Sequence, residues 1–262
     1  MSIVEGMRSR CLFAPAAAMV TLLTTTNAPC QVNVEPFREH LVDGFGMRVA
    51  GSSTVRGGNT QGIELGVNVL VRYRSGRHFA YATGSGDYAR YAQETTIAKA
   101  FGHARYNYEL TRWATAELFA QAERDEFRRI QVRELVGTGP RWTLASAEVF
   151  SLHWGQAYML EYTERDSSAR ADGEQDIAHR LSSYLSVQLE VHERIAINSV
   201  TYYQPRLDDW GDYRILSMSG ATFEVTERLA SRVDVTLRYE SHVPFDLKPF
   251  DYEAKHSLQL SF

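Results

Sequence analysis

From about residue 40 to the end, the chain alternates apolar and polar positions with a period of two, the spacing of a β-strand with two unlike faces. At the C-terminus, Tyr252, Ala254, His256, Leu258, Leu260 and Phe262 share one face and Glu253, Lys255, Ser257, Gln259 and Ser261 the other. Upstream, Val233, Val235, Leu237 and Tyr239 oppose Arg232, Asp234, Thr236, Arg238 and Glu240. Ile63, Leu65, Val67, Val69, Val71 and Tyr73 oppose Glu64, Gly66, Asn68, Arg72 and Arg74. The pattern predicts twelve strands, near 42–55, 61–74, 77–86, 96–109, 112–123, 129–141, 144–164, 177–191, 194–205, 213–226, 230–241 and 252–262.

The predicted connections sort into two kinds. Those after the second, fourth, sixth, eighth and tenth strands are tight, at Ser75-Gly76, Leu110-Thr111, around Trp142-Thr143, His192-Glu193 and Glu227-Arg228. Those after the third, seventh, ninth and eleventh are longer and polar, as in Arg165–Asp176 and His242–Asp251. Short turns on one side and long loops on the other, with an even strand count, predict an antiparallel transmembrane β-barrel with periplasmic turns and outer loops. A soluble β-sandwich or lipocalin-like barrel is the competing architecture. Against it, many apolar faces run for nine or more residues, the length a tilted strand needs to cross a bilayer. Aromatic residues gather near strand ends, where interface girdles belong: Tyr73, Tyr106, Tyr108, Trp113, Trp142, Tyr162 and Tyr239. The final Phe262 resembles a C-terminal signal for the barrel-insertion machinery.

The first 28 residues form a separate unit. Arg8 and Arg10 precede an apolar run from Cys11 to Thr26, too short for a membrane-spanning helix, and Thr26-Asn27-Ala28 makes a small-x-small cleavage site. This is the order of a cleaved signal peptide, with residues 29–41 a short periplasmic segment and 42–262 the barrel. Glu5 is unusual so early in such a segment, and a start at Met7 gives a cleaner one than Met1. Cys30 then remains as the mature chain's single cysteine, so no internal disulfide forms. Pro29 sits where a lipidated cysteine requires a small residue.

Composition alters the picture less than it first suggests. A hydrophobic fraction of 44%, a charged fraction of 23% and a mean hydropathy of −0.32 describe a water-soluble average. In a barrel the two faces cancel to such an average. The net charge of −4 gives no support to nucleic-acid binding. Of the 28 basic residues only Lys99, Lys248 and Lys255 are lysines. Arginine grips carboxylates and phosphates through paired hydrogen bonds, so the excess suits both an internal ion-pair network and lipopolysaccharide phosphates.

The parity of the strands sends charges of both signs inward: Arg72, Arg105, Glu117, Arg133, Glu161, Arg180, Arg232, Asp234, Arg238, Glu240, Glu253 and Lys255, with Glu64, Arg74 and Lys99. Such a lumen can be cross-linked into a polar plug or can line a narrow path for small polar solutes. Both readings stay open here. Catalysis has weaker support. Ser151 and His153 share a strand face without the signature of an outer-membrane phospholipase, and Asp208-Asp209 beside Trp210 and a nearby His242 read as loop residues. No metal-ligand spacing or glycine-rich phosphate loop is present, so no cofactor is expected. Outer-membrane lipids and lipopolysaccharide are the expected surroundings, and the oligomeric state is open.

Several segments in order resemble the salt-induced outer-membrane protein family, a bacterial barrel family of undefined function. They are Gly57-Gly58-Asn59-Thr60; Phe127 through Arg133 into Gly137 and Gly139; Gly155 through Glu161; Tyr202-Tyr203-Gln204-Pro205 with Asp212-Tyr213-Arg214; and the terminal strand. The resemblance covers most of 43–262. It implies an outer-membrane barrel and supplies no catalytic residues; a structural or envelope-stress role is the expected function of the barrel. Pro140 departs from the glycine-rich pattern after Gly139 and removes a backbone donor from the ladder there.

Overall fold

The computed structural model describes residues 43–56, 62–91, 94–126, 128–165, 175–226, 229–243 and 248–260. The expected leader, Cys30, the Gly57–Thr60 turn, Phe127, the Glu227-Arg228 turn and Phe262 lie outside them. Twelve strands follow one another: β1 Gly44–Arg56, β2 Gly62–Ser75, β3 His78–Tyr91, β4 Glu94–Thr111, β5 Ala114–Asp125, β6 Ile130–Ala147, β7 Phe150–Arg165, β8 Gln175–His192, β9 Ile195–Pro205, β10 Tyr213–Glu224, β11 Leu229–Glu240 and β12 Phe250–Leu260. They form one antiparallel sheet in chain order, each strand paired with its sequence neighbour. The fold is all-β.

Contacts through the interior show that the sheet curls into a barrel. Arg214 of β10 reaches Glu161 of β7, Tyr184 of β8 reaches Glu117 of β5, and Arg133 of β6 meets Glu240 of β11. Strands five places apart in a flat sheet stand about 24 Å from one another, at roughly 4.8 Å per strand, beyond the reach of side chains.

The two faces divide as the alternation predicts. On β5, Glu117, Phe119, Gln121, Glu123 and Asp125 are buried, while Ala116, Leu118, Ala120, Ala122 and Arg124 are exposed. On β8, Ala178, Arg180, Ser182, Tyr184 and Ser186 are buried, and Ile177, Leu185, Leu189 and Val191 face out. The outside is therefore a belt of aliphatic residues. Aromatic side chains flank it: Phe45, Tyr73, Tyr106 and Trp113 toward the tight turns, and Tyr203, Phe250 and Tyr252 toward the opposite rim. Charges inside and a continuous apolar belt outside invert the soluble pattern, which is the arrangement of a membrane-spanning barrel.

Two expectations are corrected. The turn after the sixth strand lies at Glu148–Val149, not around Trp142-Thr143. Trp142 sits within β6, paired with Trp154 of β7, and the two rings stack 4.8 Å apart. A register shift between Thr143 and Ala145 breaks the period-two pattern there, and the break imitates a strand end. The connection after the third strand is residues 92–93 rather than a long loop, because β3 and β4 continue to Tyr91 and Glu94. Beyond the apolar belt both faces of a strand meet water, so alternation fades while the ladder continues. A second register shift, at Ala89/Arg90, adds to the effect. Near Pro140 the β6–β7 ladder runs to Thr138↔Tyr158 and resumes at Arg141↔Gly155.

Lumen-facing glycines make room for rings. A Cβ on Gly155 would lie 2.1 Å from the Tyr184 ring, and one on Gly137 would lie 2.3 Å from the ring of Phe119. Phe119, Ala157 and Met159 pack with Leu135, and Tyr184, Val200, Tyr202, Leu216 and Met218 form a second cluster. Much of the lumen is thus filled by side chains.

Candidate functional site: the charged lumen

Two charged layers cross the interior. The layer nearer the tight turns centres on Glu117 of β5. Arg105 of β4 stands 3.4 Å from its carboxylate, and the Tyr184 hydroxyl donates to it at 2.7 Å. Arg141 of β6 donates to the Tyr184 oxygen at 3.4 Å, and the Arg105 guanidinium lies 5.0 Å from the centre of the Phe119 ring. The glycine at 155 allows this layer, since any side chain there would displace the tyrosine ring.

The layer nearer the long loops is larger. Glu161 of β7, 1% exposed, accepts two hydrogen bonds from Arg214 at 2.5 and 2.8 Å. Arg180 of β8 places its Nε 3.8 Å from the same carboxylate and its Nη2 3.0 Å from both oxygens of Asp212. Glu240 of β11 gathers four arginines: Arg128 bonds it directly, and Arg133, Arg165 and Arg214 stand within 3.9 Å. Glu123 of β5 takes Arg128 at 2.9 Å and Arg133 at 3.8 Å. Members of both layers come from β4 to β8, β10, β11 and the adjoining loops, so they tie the barrel across its width. In the loop after β9, Arg206 clasps Asp176 at 2.8 Å and Asp208 at 2.7 Å. Its hydrogen bond holds the exposed Asp208 carboxyl below the usual carboxylate range.

The structure distributes the sequence-predicted residues unevenly. It brings Arg105 and Glu117 together in one layer, and Arg133, Glu161, Arg180 and Glu240 in the other. Arg238 joins the second layer at its edge. Arg232 instead binds Asp234, two residues on, at 2.8–3.0 Å, and reaches Thr222. Arg72 is half-buried beside Gly46 of β1, whose missing Cβ makes room for it, and Glu253 is half-buried on β12. Lys255 pairs in register with Asp234, and its side chain is outside the description. Of the aromatic set, Tyr73, Tyr106 and Trp113 are exposed, while Tyr108, Trp142, Tyr162 and Tyr239 are half-buried on the barrel's outer side.

Sequence reasoning missed Glu123, Asp125, Arg128, Arg141, Arg165 and Arg214. Glu123 and Asp125 follow Glu117 in steps of two on one strand, a signal that was available. Arg214 follows the same rule, two residues before Leu216. Arg128 lies in a turn beside Arg129, which has φ 55°, and no periodicity marks it. The catalytic candidates are engaged elsewhere. Ser151 donates to Gln188 at 2.7 Å, and the His153 ring contacts the Thr143 hydroxyl at 3.2 Å. Asp209 caps Gly211 at 2.9 Å, and His242 contacts Ser241 at 3.1 Å. Among the described residues no group of three or more His, Cys, Asp or Glu could hold a metal ion.

Comparison with solved structures finds similarity to porins and to an autotransporter's translocator domain. The NanC porin matches with a TM-score of 0.48 at 11% identity, covering 83% of this chain and 99% of that one. The KdgM porin, solved in complex with disordered oligogalacturonate, matches with a TM-score of 0.42 at 11% identity, covering 78% and 96%. The translocator domain of the autotransporter NalP from Neisseria meningitidis matches with a TM-score of 0.47 at 12% identity, covering 87% and 92%. No curated protein sequence matches. A family model does match, over residues 50–262, and spans nearly the whole barrel. The chain belongs to the family described as protein of unknown function, DUF481.

Proposed function

We propose that the protein is an integral barrel of the bacterial outer membrane whose lumen is braced rather than open, with a structural or envelope-stress role. The observation that carries this reading is the arginine–carboxylate lattice around Glu161 and Glu240, which joins facing walls of the barrel and fills the space between them. Twelve strands lie between the small barrels filled by side chains and the wide porins, so the lumen contents decide which this barrel resembles. The resemblance to the salt-induced family supports the stress part of the reading. Export through a signal peptide cleaved after Ala28 and assembly by the barrel-insertion machinery belong to the same proposal. So do contacts of rim arginines such as Arg90 and Arg124 with lipopolysaccharide phosphates.

A narrow passage for small polar solutes is the second reading, and one observation favours it. The inward row of β2 is less filled than those of β5 and β8. Glu64, Gly66, Asn68, Arg72 and Arg74 are half-buried, and only Leu70 of that row is buried. Refolded protein in planar bilayers separates the two. A braced lumen gives no conductance steps above background, and reproducible steps would support passage along β2 instead. For the stress role, a strain lacking the protein is expected to grow normally in ordinary medium and more slowly at high salt. Equal growth in both would remove that part of the proposal.

A further inference from the structure

Within the larger charged layer lies a cavity of about 50 Å³. Four guanidinium groups line it, those of Arg128, Arg133, Arg214 and Arg238, against the two carboxylates of Glu123 and Glu240. Both carboxylates are already engaged, Glu123 by Arg128 and Arg133, Glu240 by Arg128, Arg133, Arg165 and Arg214. Two donors remain without a hydrogen-bond partner, Nη2 of Arg133 and Nε of Arg238. The Arg133 side chain is 4% exposed, so bulk water does not satisfy it. A buried donor left unpaired is costly, more so when it carries charge.

We infer that this cavity is a binding site for one small monovalent anion of halide size. At ~10–15 Å³ of such space per water, the cavity has room for about three to five waters, so a halide fits with hydrating water beside it. Charge then decides between water and an anion. A water presents two protons that themselves need acceptors, and the nearby carboxylates are already crowded with arginines. An anion accepts from several donors at once and donates nothing. It also offsets the four guanidiniums of the lining, which face two lining carboxylates and, through Arg214, the carboxylate of Glu161, and a neutral water cannot do this.

The site goes beyond the braced-barrel reading and does not depend on it. Conductance steps would overturn the closed lumen and leave the site standing, whereas an empty cavity would overturn the site and leave the lattice. The direct test is crystallisation of the refolded full-length barrel in bromide. An anomalous difference peak within hydrogen-bond distance of Arg133 Nη2 and Arg238 Nε is expected. A cavity without anomalous signal overturns the proposal.

In solution, the chloride-35 line width measured with wild-type protein is expected to be broadened and to narrow on adding bromide. The excess broadening should fall at least twofold in Arg238→Gln and stay unchanged in Arg112→Gln, which alters an exposed turn. Equal broadening in all three proteins would overturn the assignment. The crystal arm needs no variant, so the proposal stays testable if Arg238→Gln does not fold.

Discussion

Replacing Glu161 with alanine is expected to destabilise the barrel by about 3–5 kcal/mol, the cost of breaking a buried ion pair by removing one partner. Glu161 takes two hydrogen bonds from Arg214 and lies within 3.8 Å of Arg180. Without it Arg214 keeps, among the described residues, Glu240 at 3.9 Å as its one carboxylate, and Arg180 keeps Asp212. Two guanidiniums then share a poorly hydrated interior with too few acceptors. The urea midpoint of the refolded protein, followed by tryptophan fluorescence and heat-modifiable gel migration, reads the loss. A midpoint equal to wild type would mean that water already reaches this layer. Removing both partners as Glu161→Met with Arg214→Met is expected to recover much of the loss, because no uncompensated charge then remains.

The second large effect lies on the opposite face. Val235 stands at the middle of β11, exposed, and is paired with Ser219 of β10 and Ala254 of β12. Val235→Arg is expected to cost about 2–4 kcal/mol in a lipid bilayer, the range for a cation near the bilayer midplane on the lipid face of a barrel. Val225→Arg, in the turn after β10, serves as the depth control and is expected to cost about 0–1 kcal/mol. Unfolding of both variants from vesicles provides the comparison. Equal, small effects at the two positions would show that Val235 meets water rather than lipid, and the membrane-spanning reading of the belt would fall.

Much of the architecture was legible before any coordinates. The period-two rows, such as Val233 to Tyr239 against Arg232 to Glu240, assign faces because successive side chains on a strand must point to opposite sides. The tight returns after β2, β4 and β8 were legible to within about two residues for the same reason, whereas the one after β6 was misplaced. Legibility failed where the backbone departed from strict alternation. The register shifts at Thr143/Ala145 and Ala89/Arg90 each insert a phase change that reads as a strand end. It failed again at Arg128, which enters the lumen from a turn and carries no periodic mark.

By itself the sequence determined the twelve strands, their two faces and the presence of arginines and carboxylates on the inner one. These follow from a local rule, repeated every second residue along each strand. Only the tertiary structure decided which charges meet. Glu161 and Arg214 are 53 residues apart, and Arg128 and Glu240 are 112 apart. Their contact depends on how far the sheet curls and how its strands stagger, which no local periodicity records. The same curl sets the imbalance of guanidinium over carboxylate at one small cavity, and with it the unpaired donors of Arg133 and Arg238.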